Sequence, residues 1–458
     1  MILEFVVPEQ DTIVSLATNA GESAIGVIRI SGNLCIKLCK DIFKTPYPTP
    51  RKSILKDYVS LNGNFIDQVL FVYFANEKSY TGEEIIEIAF HGNPLIANQI
   101  LNDLLKRNCR LANPGEYTKR AFLNGKIDLS QAESVAQIIS AKSEVEIEIA
   151  NNHLVGNFSK ILQDIQSKLI NLQARFEASI DFPEDEISSQ NSDEITNIIS
   201  PIIISINDLV QSGKISKSLS DGIKVSLIGP PNVGKSSIFN KLLHEKRALV
   251  DSKSGTTRDY ISKEIVVNGY NVEFFDTAGI RKTENQIEAL GVEKTFEILI
   301  KSKIILLVLD SSLPFPTSFF ERIKEKIKSH DVIIIGNKSD LKKVLCQNLL
   351  PKHFSYVECS AIEQNCSEII TNEVEALLNH KFVDDYTTRI IVNKRQQNHL
   401  KHALKSIEEV RRLVNDSLNE EIILQELKIS IGEINSIIGI KDNEDMLTEL
   451  FKNFCIGK

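Results

Sequence analysis

The octet Gly229-Pro230-Pro231-Asn232-Val233-Gly234-Lys235-Ser236 narrows the fold of this chain more than any other feature. It has the phosphate-loop pattern: a glycine, four free positions, then Gly-Lys-Ser/Thr. It lies between an apolar run at 224–228 that reads as a strand and a helix opening at Ser237-Ile238-Phe239-Asn240. Such a turn works where a strand hands over to a helix, because glycine lets backbone N–H groups close on phosphate oxygens and the positive helix terminus adds to the attraction. Residues 220–384 should therefore hold an α/β unit. Further runs at 265–275, 304–309 and 332–335 are strand-like with helical patterns between them, the alternation of a mostly parallel, doubly wound sheet.

The partners of such a loop arrive in order. Lys235 is placed to hold β/γ-phosphates and Ser236 a Mg²⁺ ion. Asp276-Thr277-Ala278-Gly279 follows the apolar run at 272–275, offering a carboxylate to the Mg²⁺ shell and a glycine N–H to the γ-phosphate. Asn337-Lys338-Ser339-Asp340 follows the run at 332–335. Asp340 can accept two hydrogen bonds from guanine N1–H and N2, whereas adenine would set an acceptor against the carboxylate. Cys359-Ser360-Ala361 would complete the base pocket with backbone N–H groups. Together these elements imply GTP binding.

Between the loop and Asp276 lies Gly255-Thr256-Thr257-Arg258-Asp259, where a switch must sit, with Thr257 as the Mg²⁺ ligand and Thr256 as the alternative. Ras-like enzymes orient the attacking water with a glutamine directly after the Asp-x-x-Gly element, but here that position is Ile280. Either the protein is a slow switch or a polar residue within 281–294 takes over, and Glu284, Glu288 and Glu293 are the acids available. Arg258 and Arg281 are conceivable arginine fingers, a part that a bound cation could equally play.

Outside 220–384 the pattern changes. Runs at 25–30, 69–74 and 84–90 read as strands, 94–107 as a helix and Pro114-Gly115 as a turn, which makes an α+β domain over 1–122. Residues 123–219 read as long amphipathic helix, with Phe158, Ile161, Leu162, Ile165, Leu169, Leu172 and Phe176 on one face. Helix returns over 385–458, with Leu400, Ala403, Leu404, Ile407, Val410 and Val414 on one face and Ile423, Leu424, Leu427, Ile431 and Ile434 on another. The expected architecture is multidomain: an N-terminal α+β domain, a discontinuous all-α domain, and an α/β P-loop domain inserted into it.

Charge matters at this point. The 458 residues carry 53 Lys+Arg and 61 Asp+Glu, a net charge of −8, which argues against a uniformly basic coat for nucleic acid. The segment 127–219 holds fourteen acids and six bases, so the surplus belongs to that segment and the rest of the chain balances. The acidic stretch from Asp181 to Glu186 reads as a solvated turn. Seven cysteines without a Cys-x-x-Cys pair suggest neither a disulfide framework nor a zinc finger, so a reducing compartment and no disulfide partner are expected. The N-terminus is a poor signal peptide, and the longest apolar stretch, 195–206, is too short to cross a bilayer. A cytoplasmic protein follows. His399 and His402 read as surface or packing residues for want of a third ligand.

The loop with Asn232, the Gly255-Thr256-Thr257-Arg258-Asp259 switch, Asp276-Thr277-Ala278-Gly279 and the terminal Cys455-Ile456-Gly457-Lys458 together resemble the tRNA modification GTPases of the MnmE (TrmE) family, within the TrmE-Era-EngA-YihA-Septin-like superfamily. The resemblance continues through Asp11-Thr12-Ile13-Val14, Arg29-Ile30-Ser31-Gly32, Tyr80-Thr81-Gly82-Glu83, Pro114-Gly115-Glu116-Tyr117 and Arg120-Ala121-Phe122-Leu123-Asn124-Gly125-Lys126. It implies a homodimer with an N-terminal folate-binding and dimerisation domain. It also implies an FAD-dependent partner, MnmG (GidA), with which the enzyme installs an aminomethyl or carboxymethylaminomethyl group on C5 of the wobble uridine of certain tRNAs. The carbon would come from a 5-formyl- or methylene-tetrahydrofolate and the amine from glycine or ammonium.

By the same resemblance GTP hydrolysis is K⁺-stimulated, with Asn232, Asp251, Lys253 and Thr256 around the ion. Ser237, Ser252 and Ser254 join the nucleotide contacts and Glu288 orients the water. Arg29, Glu83, Lys126 and Lys458 contact the folate, and Cys455 takes part in the modification chemistry. Read on its residues alone, Cys455 is equally an inert thiol, though Gly457 and Lys458 suit a prenylation box badly. Arg29 is either a holder of folate carboxylates or an ordinary interface arginine. A ribosome-assembly GTPase, or a GTP-gated dimer without chemistry of its own, would share the nucleotide motifs.

Overall fold

The computed structural model describes residues 11–181, 192–220, 222–245, 261–276, 302–382, 390–416 and 420–439, together with 299, 447, 450–452, 454, 455 and 457. The chain forms two compact units: Met1–Ile139, His153–Ile199 and Lys405–Lys458 make one, Ser140–Asn152 and Ser200–Leu404 the other.

In the first unit a six-stranded sheet is built from β1 (Thr12–Leu16), β2 (Ile25–Ser31), β3 (Ser53–Val59), β4 (Phe65–Phe74), β5 (Ile85–His91) and β6 (Cys109–Leu111), in the order β3-β4-β5-β2-β1-β6. Side chains alternate across each strand, so Val14, Ile28, Ile30, Val69, Phe71, Ile86 and Ile88 share one buried core. Two helices cover it. From α1 (Cys35–Phe43) come Leu38, Ile42 and Phe43, whose ring stacks on Phe71 at 4.2 Å, and from α2 (Pro94–Lys106) come Ala97, Ile100 and Leu104. Sequence patterning did not disclose β1, β3, β6 and α1. β1 and β6 are very short, and β3 is an edge strand with Lys56 and Asp57 in its middle, which hides the apolar alternation.

The sheet leads into α3 (Glu116–Leu123) and α4 (Leu129–Ser140). Of the later helices, α5 (Glu144–Leu154) is short, whereas α6 (Asn157–Asp181) and α7 (Ser192–Ser220) are long. In α6, Phe158, Leu162, Ile165, Leu169, Leu172 and Phe176 are buried as expected. Ile161 is 39% exposed, a correction to the expected face: it falls beside the strict alternation of four- and three-residue steps set by the other six. Asp181 ends α6, and the remainder of the expected acidic turn lies outside the described residues.

The second unit holds β7 (Ile223–Ile228), α8 (Lys235–Glu245), β8 (Ile261–Val267), β9 (Tyr270–Asp276), β10 (Ile304–Asp310), α9 (Thr317–Ile327), β11 (Asp331–Asn337), β12 (Ser355–Glu358) and α10 (Cys366–Phe382). The strand order is β12-β11-β10-β7-β9-β8, parallel throughout except for β8. Every residue of β10 is buried, as a central strand covered on both faces requires. The run expected as one strand at 265–275 is a hairpin, because Asn268 (φ 46°) and Gly269 (φ 77°) take the two left-handed positions of a tight two-residue turn. Two further helices, α11 (Lys394–Asn415) and α12 (Glu420–Ile438), follow in chain order.

Candidate nucleotide site and the Arg29 cluster

The loop from β7 to α8 is shaped by backbone demands. Gly229 has φ 156°, and a Cβ there would sit 2.2 Å from the Val308 carbonyl oxygen. Gly234 has φ 94°, and its Cβ would lie 2.2 Å from Asn337 Nδ2. Between them Asn232 adopts φ 65°, a left-handed conformation that asparagine tolerates better than most residues. Lys235 Nζ donates to the carbonyl oxygens of Gly229 at 2.9 Å and Pro230 at 2.7 Å, which centres the ammonium over the loop. Ser236 and Ser237 are both exposed in the first turn of α8.

The two segments expected to read the base converge on this loop from the C-terminal ends of β11 and β12, the edge of a parallel sheet where ligands bind. Asn337 is the joint: its Nδ2 donates to the Val233 carbonyl at 2.7 Å, and its Oδ1 accepts from the Ala361 N–H at 3.0 Å. Lys338, with φ 61°, donates to the Asn232 carbonyl at 3.2 Å and pairs with Asp310 Oδ2 at 2.6 Å. Burial pushes the Asp310 carboxyl up, but Lys338 and Ser312 outweigh it and hold it below its usual range. The Ser360 hydroxyl donates to Asp340 Oδ1, and the Ser339 N–H to the Cys359 carbonyl at 3.3 Å.

Of the N–H groups expected to line the base pocket, that of Cys359 pairs with the Gly336 carbonyl at 3.1 Å and that of Ala361 with Asn337. Both N–H groups thus have partners within the protein. Asp276 ends β9 at 2% exposure, where a carboxylate for a metal shell was expected. Asp251, Ser252, Lys253, Ser254, Gly255, Thr256, Thr257, Thr277, Ala278, Gly279, Glu288 and Lys458 lie outside the described residues.

A second cluster gathers on the N-terminal sheet. Arg29, on β2, meets Glu87 Oε1 through Nε at 2.8 Å and Nη2 at 2.7 Å, and its Nη1 donates to the Gly457 carbonyl at 3.0 Å. Its guanidinium lies 5.8 Å from the centre of the Tyr117 ring. Glu83 accepts from Ser31 Oγ at 2.8 Å and from Arg120 at 3.0 and 3.2 Å. Ser31 is two residues beyond Arg29, so both project from one face of β2. Lys126 Nζ donates to the Glu77 carbonyl at 2.7 Å, and its Cε would lie 3.3 Å from a Cβ at Gly82. The chain end is fastened here as well, with the Gly115 N–H bonded to the Cys455 carbonyl at 3.3 Å and the Cys455 thiol exposed.

Motif spacing passed over the scaffold of this cluster. Arg120 holds Glu83, Asp11 and Glu116, and Arg110 holds Asp11 and Glu116. Burial raises the Glu116 carboxyl, but the bonds from Arg110, the Asn113 N–H and Arg120 outweigh it and bring it down to about 2. Asp11, Glu116 and Arg120 stand inside matched motifs, and Glu116 has its partners within six residues, yet nothing local announces that Asp11 and Glu83 come to Arg120 from 109 and 37 residues away.

Comparison with known proteins adds the missing context. The family model of the GTP-binding protein TrmE N-terminus matches residues 12–126, and that of the MnmE helical domain matches residues 129–455. The tRNA modification GTPase MnmE of Clostridioides difficile is 36% identical, with 98% of this chain and 99% of that protein covered. That of Aquifex aeolicus is 37% identical over 98% and 100%. The chain belongs to the MnmE family of tRNA modification GTPases. Among solved structures, the G domain of the T. maritima FeoB iron transporter matches at 25% identity over 34% of this chain and 98% of that one, with a TM-score of 0.26, so the α/β fold rests on the strand order itself.

Within the MnmE family the two clusters fall in separately matched regions: Arg29, Glu83 and Lys126 in the N-terminal one, the nucleotide loop within the span of the helical one. Among the described residues no group of three or more His, Cys, Asp or Glu is placed to hold a metal ion, and no helix is long and apolar enough to cross a membrane. All seven cysteines are thiols.

Proposed function

We propose that the chain hydrolyses GTP to drive the addition of an aminomethyl or carboxymethylaminomethyl group to C5 of the tRNA wobble uridine, as a cytoplasmic homodimer working with the FAD-dependent MnmG. The observation that carries this reading is the joint at Asn337, which bonds both the Val233 carbonyl of the phosphate loop and the Ala361 N–H of the segment after β12, where Ser360 holds the Asp340 carboxylate.

In this reading Lys235 and the loop N–H groups hold the β- and γ-phosphates. Ser236 and Thr257 ligate Mg²⁺, with the Asp276 carboxylate in its shell. Asn232, left-handed and exposed at the loop apex, fits a cation ligand, and with Asp251, Lys253 and Thr256 it would hold K⁺. When bound, the two cations neutralise charge developing on the phosphate oxygens. Glu288 orients the attacking water, the part that Ile280 cannot play.

The modification chemistry belongs to the other cluster. Arg29, Glu83, Lys126 and Lys458 form the folate site, and Cys455 the reactive thiol. A mixed set of cations and a carboxylate suits a ligand that carries both carboxylates and ring N–H groups. Arg29 keeps further N–H groups for such a ligand beyond those given to Glu87 and Gly457.

Glu288→Ala tests the hydrolytic half: GTP binding is retained and turnover falls by roughly a hundredfold or more. Near-normal turnover would remove Glu288 from the role. Nucleoside mass spectrometry of tRNA from a deletion strain tests the other half, and unchanged wobble uridines would sink it.

A further inference from the structure

Helix α11 carries a one-sided charge that neither cluster uses. Between residues 390 and 407 the chain has Lys394, Arg395, Lys401 and Lys405 and no acid at all, in a protein of net charge −8. At 3.6 residues per turn, Lys394, Lys401 and Lys405 fall within about 40° of one another around the helix. Lys394 and Lys401 are exposed, as is His402, and Arg395 and Lys405 are at least partly so. The opposite side of the same continuous helix is the packed one, with Gln396, Leu400, Ala403, Ile407 and Val410 buried. The lysines therefore make a stripe about 16 Å long, from a rise of about 1.5 Å per residue. Lys401 Nζ donates to a neutral group, Gln397 Oε1 at 3.3 Å, and Lys405 approaches Glu409 where acids resume along the helix.

We propose that this lysine stripe docks the phosphate backbone of tRNA, an inference that rests on the tRNA-modifying reading above. Lysines spaced along one helix face meet a row of phosphates as point charges, and binding follows by release of counterions. The apolar side of α11 is buried in the protein, so the helix has no free apolar face to enter a lipid surface. Contacts of this kind fix position and carry no sequence information, so the stripe holds different tRNAs alike and leaves selection of the uridine to other parts of the assembly.

The test compares the full-length protein with Lys394→Gln/Lys401→Gln/Lys405→Gln and with the triple Lys→Arg variant, using an unmodified tRNA transcript and fluorescence anisotropy over a range of salt. Each lost lysine–phosphate contact lowers the slope of log affinity against log salt by roughly 0.7–0.9, so the Gln variant should be shallower by about 2 and bind on the order of tenfold to a hundredfold more weakly at low salt. The Arg variant should bind like the original. GTP turnover without tRNA should stay the same in all three, which separates loss of charge from loss of fold. Equal affinity and slope in the Gln variant would overturn the proposal, as would no binding by the unaltered protein, or binding to phosphatidylserine vesicles in place of the transcript. Failure here is distinct from failure of the tRNA-modifying reading: the Gln variant can bind normally while deletion still removes the modified nucleoside, and unchanged nucleosides after deletion would defeat that reading whatever the variant does.

Discussion

The nucleotide loop and the Arg29 cluster both fix charged side chains in place, and they do so by opposite means. In the loop the backbone decides: Gly229, Asn232, Gly234 and Lys338 all take positive φ, and Lys235 bonds carbonyls only five and six residues away. In the cluster side chains decide. Arg29 reaches the Gly457 carbonyl, 428 residues along the chain, and Arg120 reaches Asp11, 109 residues back. A site built on backbone conformation has to show its residue types in a short motif. A site built on long-range ion pairs does not.

That difference predicts unequal responses to substitution. Gly234→Ala should have the largest effect, because its φ of 94° is strained for alanine and the new methyl carbon would meet Asn337 Nδ2 at 2.2 Å. Strain of about 3 kcal/mol corresponds to roughly a hundredfold loss of GTP affinity. Calorimetric titration of nucleotide, with circular dichroism to confirm the fold, measures it. Affinity close to the original would mean that the loop is not held by its backbone, and the contrast between the two regions would break.

Next comes Glu116→Gln, which removes the anion shared by Arg110 and Arg120 and should cost about 3 kcal/mol. Here pH sharpens the comparison. Glu116 titrates at about 2 in the folded chain against an ordinary value of 4.5, so its contribution is complete above about pH 4.5 and is lost as pH falls through 2. Melting curves of the two proteins should differ most near neutrality and draw together below pH 4.5. A gap that stays constant down to pH 2 would show that the carboxylate's charge is not what holds the scaffold. The GTP affinity of the variant should be unchanged.

The same contrast explains how much of each region is legible in the bare sequence. The α/β unit and its site are legible because Gly234, Lys235 and Asp340 occur at spacings the chemistry demands, and because β10 is apolar along nearly its whole length. The hairpin at Asn268-Gly269 is also written in the sequence, in the commonest residue pair for such a turn, but the apolar run on either side masks it. The N-terminal scaffold is not legible in this way. Glu116 and Arg120 look like ordinary charges on a helix, and only folding brings Arg110 and Asp11 to them. The role of Asn337 as a joint is half visible: its place in the motif marks the base pocket, whereas its grip on the Val233 carbonyl needs the two strand ends close together.

The smallest effect is expected at Arg29, and it separates two roles that coincide there. Its side chain is 19% exposed, paired with Glu87 and bonded to the chain end through Gly457. Arg29→Ala should weaken binding of formyl-tetrahydrofolate about tenfold, the worth of one charge-assisted hydrogen bond, and leave GTP turnover unchanged. Glu87→Gln is the informative companion, because it releases Arg29 from its pair without removing the guanidinium. If Arg29 serves the ligand, Glu87→Gln should leave the folate affinity level or raise it. If Arg29 serves only to pin the tail that carries Lys458, Arg29→Ala should weaken the folate no further in a Lys458→Ala background, and Arg29→Ala alone should speed proteolytic trimming at the C-terminal residues. Titration of the folate into these variants, followed by timed digestion, distinguishes the two.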